Sequence, residues 1–378
     1  MQKLDKIVGG PPKFYKAKIG DDTIVGDPIG VPVYFIFDLI SNTPAGYRLL
    51  GRNDVNAALK ALLTEWGKYL ESGASNTTLT DKEGGWFSDP ALAFLESGLG
   101  DLCFDDTFVT ELEKPQRYKT WDSFFTRKFK QKRPDGKPMR PINPQRAGQP
   151  FFIYNPCEST ILCSASDIRN CDTFWIKGQS YSLYEMLGGD EYRELSNYAK
   201  DMEGGAILLS YLDPQDYHRW HSPVVGTVLA AKILDGSFYA NDVAVGHDSN
   251  FLPGDSYGAM IRLQPWLNLA TTRAALIMKP TDANSHIDLM AFIPIGMVEV
   301  SSCEITYDKR SVPHPEQVEV GTELGSFHFG GSAYALIVKP EKGYKVLFQD
   351  LYDSPIKSGQ HRWIHSVVAQ IWPDTQQW

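Results

Sequence analysis

The spacing of hydrophobic residues changes near residue 140, and that change limits what the chain can fold into more than any other feature of it. Before it, Val55, Leu59, Leu62, Leu63, Trp66 and Leu70 recur at the intervals of one helix face. Asn53-Asp54 stands where such a helix would be capped, and Gly73 where it would end. Ser88-Asp89-Pro90 offers a capping side chain and a proline suited to a first helical turn, and Ala91 to Leu95 continues the pattern up to Gly98. A third helix is expected from Thr120 or Asp122, carrying Phe124, Phe125 and Phe129. The first fifty residues, punctuated by Gly9-Gly10-Pro11-Pro12 and Asp27-Pro28, read as an extended, partly ordered arm.

Beyond the basic, proline-marked stretch Arg127 to Pro144, the pattern becomes short β-branched runs between Gly, Pro and Asp. Ala206 to Leu212, Gly226 to Leu234, Ala274 to Lys279, Ile287 to Thr306, Ala335 to Lys339 and Lys345 to Leu351 read as strands. One helix, Ser182 to Leu187, interrupts them before Gly188-Gly189. Few helices between irregularly spaced strands point to a mostly antiparallel, α+β or all-β unit rather than a doubly wound sheet, and with the helical first third they predict an α+β chain. Its expected form is a mostly antiparallel, β-rich unit over 141–378, preceded by an arm and helical domain over 1–140.

Charge and hydropathy remove several function classes. Lys plus Arg is 37 and Asp plus Glu 46, a formal charge of −9, which argues against a nucleic-acid surface or a polybasic membrane patch. The apolar stretch Val31 to Ile40 carries Pro32 and Asp38 and is about half the roughly 20 residues a bilayer span needs. No secretory leader follows Met1-Gln2-Lys3-Leu4-Asp5-Lys6, so a cytoplasmic chain without stable membrane insertion is expected. The cysteines at 103, 157, 163, 171 and 303 form no Cys-x-x-Cys pair and read as reduced, mostly buried thiols.

Two segments can carry chemistry: Asp213-Pro214-Gln215-Asp216-Tyr217-His218-Arg219-Trp220-His221-Ser222-Pro223 and Phe327-His328-Phe329-Gly330-Gly331-Ser332-Ala333. His218 and His221 could bind zinc if helical, with His286 or His328 as a third ligand. The strand before them and Pro223 after them argue against a helix, so no metal is expected. Both imidazoles could instead be hydrogen-bonded parts of a packed loop. Gly330-Gly331-Ser332 could be only a turn. Equally, Gly331 has no Cβ to obstruct the Ser332 hydroxyl from approaching the preceding carbonyl, and a nearby base would activate Ser332 for internal attack.

Four stretches in this order resemble the pyruvoyl-dependent phosphatidylserine decarboxylases. They are Ser123-Phe124-Phe125-Thr126-Arg127 leading to Arg140-Pro141-Ile142; Ile176-Lys177-Gly178-Gln179-Ser180-Tyr181-Ser182-Leu183; Asp216 to Gly226; and Phe329-Gly330-Gly331-Ser332. Within that family the chain is most similar to the fungal branch containing an L-tryptophan decarboxylase. Gly84-Gly85-Trp86, Cys157-Glu158-Ser159 and the Tyr217 to His221 run carry that likeness.

The resemblance implies self-cleavage between Gly331 and Ser332, with Ser332 becoming a covalent pyruvoyl group and the chain dividing into 1–331 and 332–378. It makes His221 the base for Ser332, with Glu158 orienting His221 where the family has Asp. Ala333 stands where phospholipid-directed members have Thr, so any hydrogen bond from that hydroxyl must come from elsewhere.

The chemistry is coherent without the family. An amino acid that loses carbon dioxide leaves a carbanion needing an electron sink, and the chain has no recognisable pyridoxal phosphate site. A pyruvoyl carbonyl, made from the chain itself, can condense with the substrate amine and take up that charge. His218 or His221 would return the proton to Cα. An aromatic L-amino acid, L-tryptophan first, is the expected substrate. Phosphatidylserine is the alternative, and a silent relative that only binds is a third reading, which Ala333 and Glu158 keep open.

Overall fold

The structure, a computed structural model, describes residues 8–14, 16–19, 22–25, 36–37, 40, 43–144, 151–174, 179–237, 271–296, 302–306, 316–329 and 332–374. Gly330, Gly331, Trp175 and the Ile176-Lys177-Gly178 part of the second motif lie outside the described residues.

The architecture is α+β, as the spacing predicts. Helix α1 (Asn53–Leu70) buries Leu63, Trp66 and Leu70. Its first turn is not capped by a side chain, because Asp54 bonds Arg52 instead. Helix α2 (Asp89–Glu96) likewise lacks the expected Ser88 cap: the Ser88 hydroxyl donates back to the Gly85 carbonyl. Helix α3 (Trp121–Phe125) begins with a reciprocal capping box between Thr120 and Ser123. It stops four residues before Phe129, which bridges to Phe108 in an extended segment. Within the first fifty residues a hairpin (Lys16–Ile19 with Asp22–Val25) and a helix (Pro44–Leu50) replace part of the expected arm.

The strands that matter for the site are β1 (Ser159–Ser166), β2 (Ala206–Leu212), β3 (Arg219–His221), β4 (Gly226–Leu234), β5 (Arg273–Pro280), β6 (Ile287–Gly296), β7 (Ser302–Ile305), β8 (Glu316–Val318), β9 (Glu323–His328), β10 (Ser332–Pro340) and β11 (His361–Arg362). Eight of them form one sheet in the order β8-β4-β5-β6-β10-β2-β1-β11, and β7-β9-β3 form a second. Strands Tyr344–Leu347, Val367–Pro373 and Phe151–Tyr154 make a third. All pairings among these strands are antiparallel. The run from Ile287 to Thr306, expected as one strand, is described as two, β6 and β7.

The large sheet is buried on both faces, and β10 shows how. Tyr334, Leu336 and Val338 point into a core shared with Leu63, Trp66, Trp86, Trp121, Phe124 and Phe125 of the helical region. Ala335 and Ile337 point to the opposite side, where Leu183, Met186, Leu195 and Met202 cover the sheet. Alternate side chains of one strand thus enter two cores, which is why 335–338 reads as a continuous apolar run. Trp121 and Trp220 are wholly buried core residues.

Candidate active site

Ser332 is the first residue of β10 and pairs with Leu212 on one side and Gly296 on the other. Its backbone is fixed by the centre of the sheet. Its side chain is not: the hydroxyl is fully buried and makes no hydrogen bond among the described residues. A buried hydroxyl without a partner costs about 1–3 kcal/mol, so such an atom marks a place where structure alone does not account for the residue.

His221 ends β3 and donates its backbone N–H to the Pro156 carbonyl at 2.9 Å. Both ring nitrogens are engaged. Nε2 lies 3.2 Å from the Tyr217 hydroxyl, and Nδ1 lies 2.9 Å from Nε2 of His365, whose own Nδ1 lies 2.9 Å from the Arg140 carbonyl. A carbonyl oxygen only accepts, so His365 carries its proton on Nδ1 and presents a lone pair at Nε2. His221 must then donate from Nδ1, which leaves its Nε2 as the basic nitrogen, accepting from Tyr217. One carbonyl therefore fixes the tautomers of two histidines.

Burial, and then the unfavourable electrostatics of a second proton beside His365 and of the Arg219 charge, push the His221 imidazole down to about 3, so at neutral pH it is an uncharged base. His365 is also held below the usual range, chiefly by burial. It sits at φ +65°, a left-handed conformation uncommon outside glycine, which the loop before strand Val367–Pro373 imposes. Asn155 pins that loop. Its amide donates to the Arg362 carbonyl at 3.0 Å, and its oxygen accepts from the Tyr334 hydroxyl at 2.5 Å, two residues beyond Ser332.

The expected contact between Glu158 and His221 is not made. Glu158 is buried, and its carboxylate accepts from the Arg140 guanidinium at 2.5 and 3.2 Å. The longer side chain carries the carboxylate onto Arg140, and His365 fills the place at His221 Nδ1. Glu158 still touches the arrangement at one remove, since Arg140 supplies the terminal carbonyl.

His218 is wholly buried, and among the described residues neither ring nitrogen makes a well-formed hydrogen bond, the Asp216 backbone being its nearest polar influence. It packs against Phe125 of α3 with ring centroids 3.9 Å apart. Burial, then the Arg127 charge, holds it well below the usual histidine range. Arg127 explains why the Ser123 to Arg127 motif accompanies the histidine segment: its guanidinium donates to the carbonyls of Gln215 and Asp216 and fastens that turn to α3. Asp216 in turn accepts from His361 Nε2 at 2.9 Å.

The other histidines weighed as metal ligands go elsewhere. His286 bonds Glu341 and stacks on Tyr344. His328 lies between Asp122 (2.9 Å) and Glu304 (2.7 Å). Among the described residues, Glu71, Asp122 and His328 form the one His/Cys/carboxylate group close enough to share an ion, but both nitrogens of His328 already face carboxylates.

Sequence reasoning missed His365 and Tyr217 as partners of His221. Tyr217 stood inside the recognised segment, whereas His365 belongs to no motif and lies 144 residues from its partner.

The phosphatidylserine decarboxylase family profile matches residues 121–360, and a second profile of the same description matches residues 1–95. Among curated proteins, decarboxylase iboD of Amanita muscaria is 36% identical, over 97% of this chain and 99% of its own. L-tryptophan decarboxylase of Psilocybe cubensis is 31% identical, over 83% of this chain and 68% of its own. Phosphatidylserine decarboxylase proenzyme 3 of Schizosaccharomyces pombe is 30% identical, over 63% of this chain and 21% of its own.

Proposed function

The chain belongs to the phosphatidylserine decarboxylase family, and on that footing we propose that it is a pyruvoyl-dependent decarboxylase of an aromatic L-amino acid, L-tryptophan first, activated by its own cleavage between Gly331 and Ser332. The reaction class is decarboxylation, as the names of its relatives state. The observation that carries the self-cleavage reading is the Gly330-Gly331-Ser332 run with its Ser332 hydroxyl buried and without a partner among the described residues, in a chain that keeps His218 and His221 neutral. Thr78, Ser210 and Thr272 share the unpartnered hydroxyl but follow no Gly-Gly pair.

Ser332 Oγ attacks the Gly331 carbonyl carbon and gives its proton to His221 Nε2, the nitrogen that the relay through His365 leaves basic. Among the described residues that nitrogen accepts from Tyr217 and makes no hydrogen bond to Ser332, so the transfer requires the Ser332 hydroxyl to displace Tyr217. The Gly331–Ser332 C–N bond breaks, its nitrogen takes up a proton, and an ester joins Gly331 to Ser332 Oγ. Removal of the Ser332 Cα proton expels the Gly331 carboxylate, which frees residues 1–331 and leaves a dehydroalanine at position 332. Its enamine becomes an imine, one water adds, and ammonia leaves.

The resulting pyruvoyl group supplies a ketone-based electron sink for the carbanion formed as carbon dioxide departs. Ser332 suits that precursor role because no hydrogen bond to a described residue must be broken to free its oxygen. His218, whose ring nitrogens make no well-formed hydrogen bond among the described residues, is the better candidate to return a proton to Cα, and Phe125 holds its ring in place.

An aromatic substrate is supported by the relatives named L-tryptophan decarboxylases. Phosphatidylserine is supported by the family description and by the relative from Schizosaccharomyces pombe. No helix among the described residues is long and apolar enough to cross a membrane. Carbon dioxide release from L-tryptophan, phenylalanine and tyrosine, set beside release from phosphatidylserine vesicles, separates the substrates. Release only from the vesicles would overturn the aromatic assignment, and an uncut, inactive chain would favour a silent binding relative.

A further inference from the structure

The helical N-terminal region reaches the two residues that lead into the proposed cleavage site. His328, the last residue of β9, is gripped from both sides: Asp122 of α3 on Nδ1 and Glu304 of β7 on Nε2. Phe329 follows, with its ring edge-on to Trp66 of α1 at 5.4 Å between centroids. Gly67 makes that approach possible, because a Cβ there would stand 3.2 Å from Phe329 Cε1. Phe329 is 3% exposed and holds φ +24°, a conformation that a side-chain-bearing residue adopts only when its surroundings impose it. On the far side of the site, Ser332 is fixed between β2 and β6.

We infer that α1 and α3 act as a clamp for self-processing, with Asp122, Trp66 and Gly67 positioning the upstream side of the cleavage site against the Ser332 hydroxyl. The inference rests on the self-cleavage reading above and assigns a task to the N-terminal region, which otherwise touches neither His221 nor Ser332 by any described hydrogen bond. The physical reason is geometric. Attack requires the oxygen about 3–3.5 Å from the carbonyl carbon, and a misplacement of about 1 Å costs on the order of a hundredfold in rate. The sheet fixes Ser332, and on the upstream side the described contacts nearest the cleavage site are those that α1, α3 and β7 make to His328 and Phe329. The ion pairs supply direction as well as attraction. Burial alone would lower the His328 imidazole, but the bonds and charges of Asp122 and Glu304 outweigh it and raise it to about 9. Glu71, at the end of α1, is the remaining acid close to this group. The clamp is therefore complete below the ordinary histidine range and loosens as pH rises through about 9.

The test follows disappearance of the full-length chain on denaturing gels after cell-free synthesis of wild type, Asp122→Ala, Asp122→Asn and Gly67→Ala, with folding checked by circular dichroism. Asp122→Ala should cleave at least about tenfold more slowly and Asp122→Asn should fall between, since the amide oxygen still accepts but carries no charge. Gly67→Ala separates positioning from stability. Alanine favours a helix by about 1 kcal/mol over glycine, which offsets the cost of displacing Phe329, so the thermal midpoint should change little while cleavage slows several-fold. Wild-type cleavage should decline above pH about 9, and Asp122→Ala should bring that decline to lower pH. Wild-type rates in both Asp122→Ala and Gly67→Ala would overturn the clamp. Should Asp122→Ala fail to fold, the Gly67→Ala rate decides. A wild-type chain that never cleaves would instead remove the self-cleavage reading, and the clamp with it.

Discussion

His365→Ala takes away the acceptor of the His221 Nδ1 proton. The consequence can be worked in two ways that agree in direction. If the proton stays, a buried donor is left unpaired at a cost of about 1–3 kcal/mol, which at 1.4 kcal/mol per tenfold is about 5- to 150-fold. If the proton moves to Nε2, His221 presents an N–H where the mechanism needs a lone pair, and the base is lost from that fraction of molecules. Self-cleavage should therefore slow by about one to two orders of magnitude, read as the first-order rate of fragment appearance on denaturing gels. His365→Asn is the informative companion. Asparagine tolerates φ +65°, and its amide offers an acceptor toward His221 and a donor toward the Arg140 carbonyl, so it should recover part of the rate. A folded His365→Ala variant cleaving at the wild-type rate would refute the relay, and with it the identification of Nε2 as the base.

Glu158→Gln should leave the Arg140 guanidinium buried without its counter-charge and lower stability by about 3–5 kcal/mol, read as a fall in the urea midpoint; an unchanged midpoint would contradict the pairing. Acid should destabilise the uncut Ser332→Ala chain through its buried neutral histidines. His218, His221 and His365 are all held below their unfolded values. Below an unfolded value of about 6.5 the unfolded chain gains protons that the folded one refuses, so the thermal midpoint should drop as pH falls toward about 3, and His221→Gln should flatten part of that slope.

The helices and most core strands were legible because burial writes a period into the sequence. Leu63, Trp66 and Leu70 of α1 recur on one helix face, and the continuous apolar run of β10 reflects a strand covered on both sides. Capping was legible where the side chain had no better partner, as at Thr120, and illegible where it did, as at Ser88. Phe129 continued a helical spacing but stacks on Tyr217 at 4.2 Å, a tertiary contact that local pattern does not contain. The site divided in the same manner. Ser332, His218 and His221 lie within recognisable runs. The meeting of Glu158 with Arg140, and of His221 with His365, was not legible because it depends on strand pairing and on the loop pinned by Asn155. A lone histidine between Ile364 and Ser366 carries no local signal of such a partner.

Intact mass measurement of purified, active protein tests the central claim most directly. Two polypeptides are predicted: residues 1–331 ending in an ordinary carboxylate, and residues 332–378 lighter by one ammonia than the serine-led peptide and resistant to amino-terminal sequencing. A single uncut chain that decarboxylates, above all one whose turnover requires added pyridoxal phosphate, would contradict it.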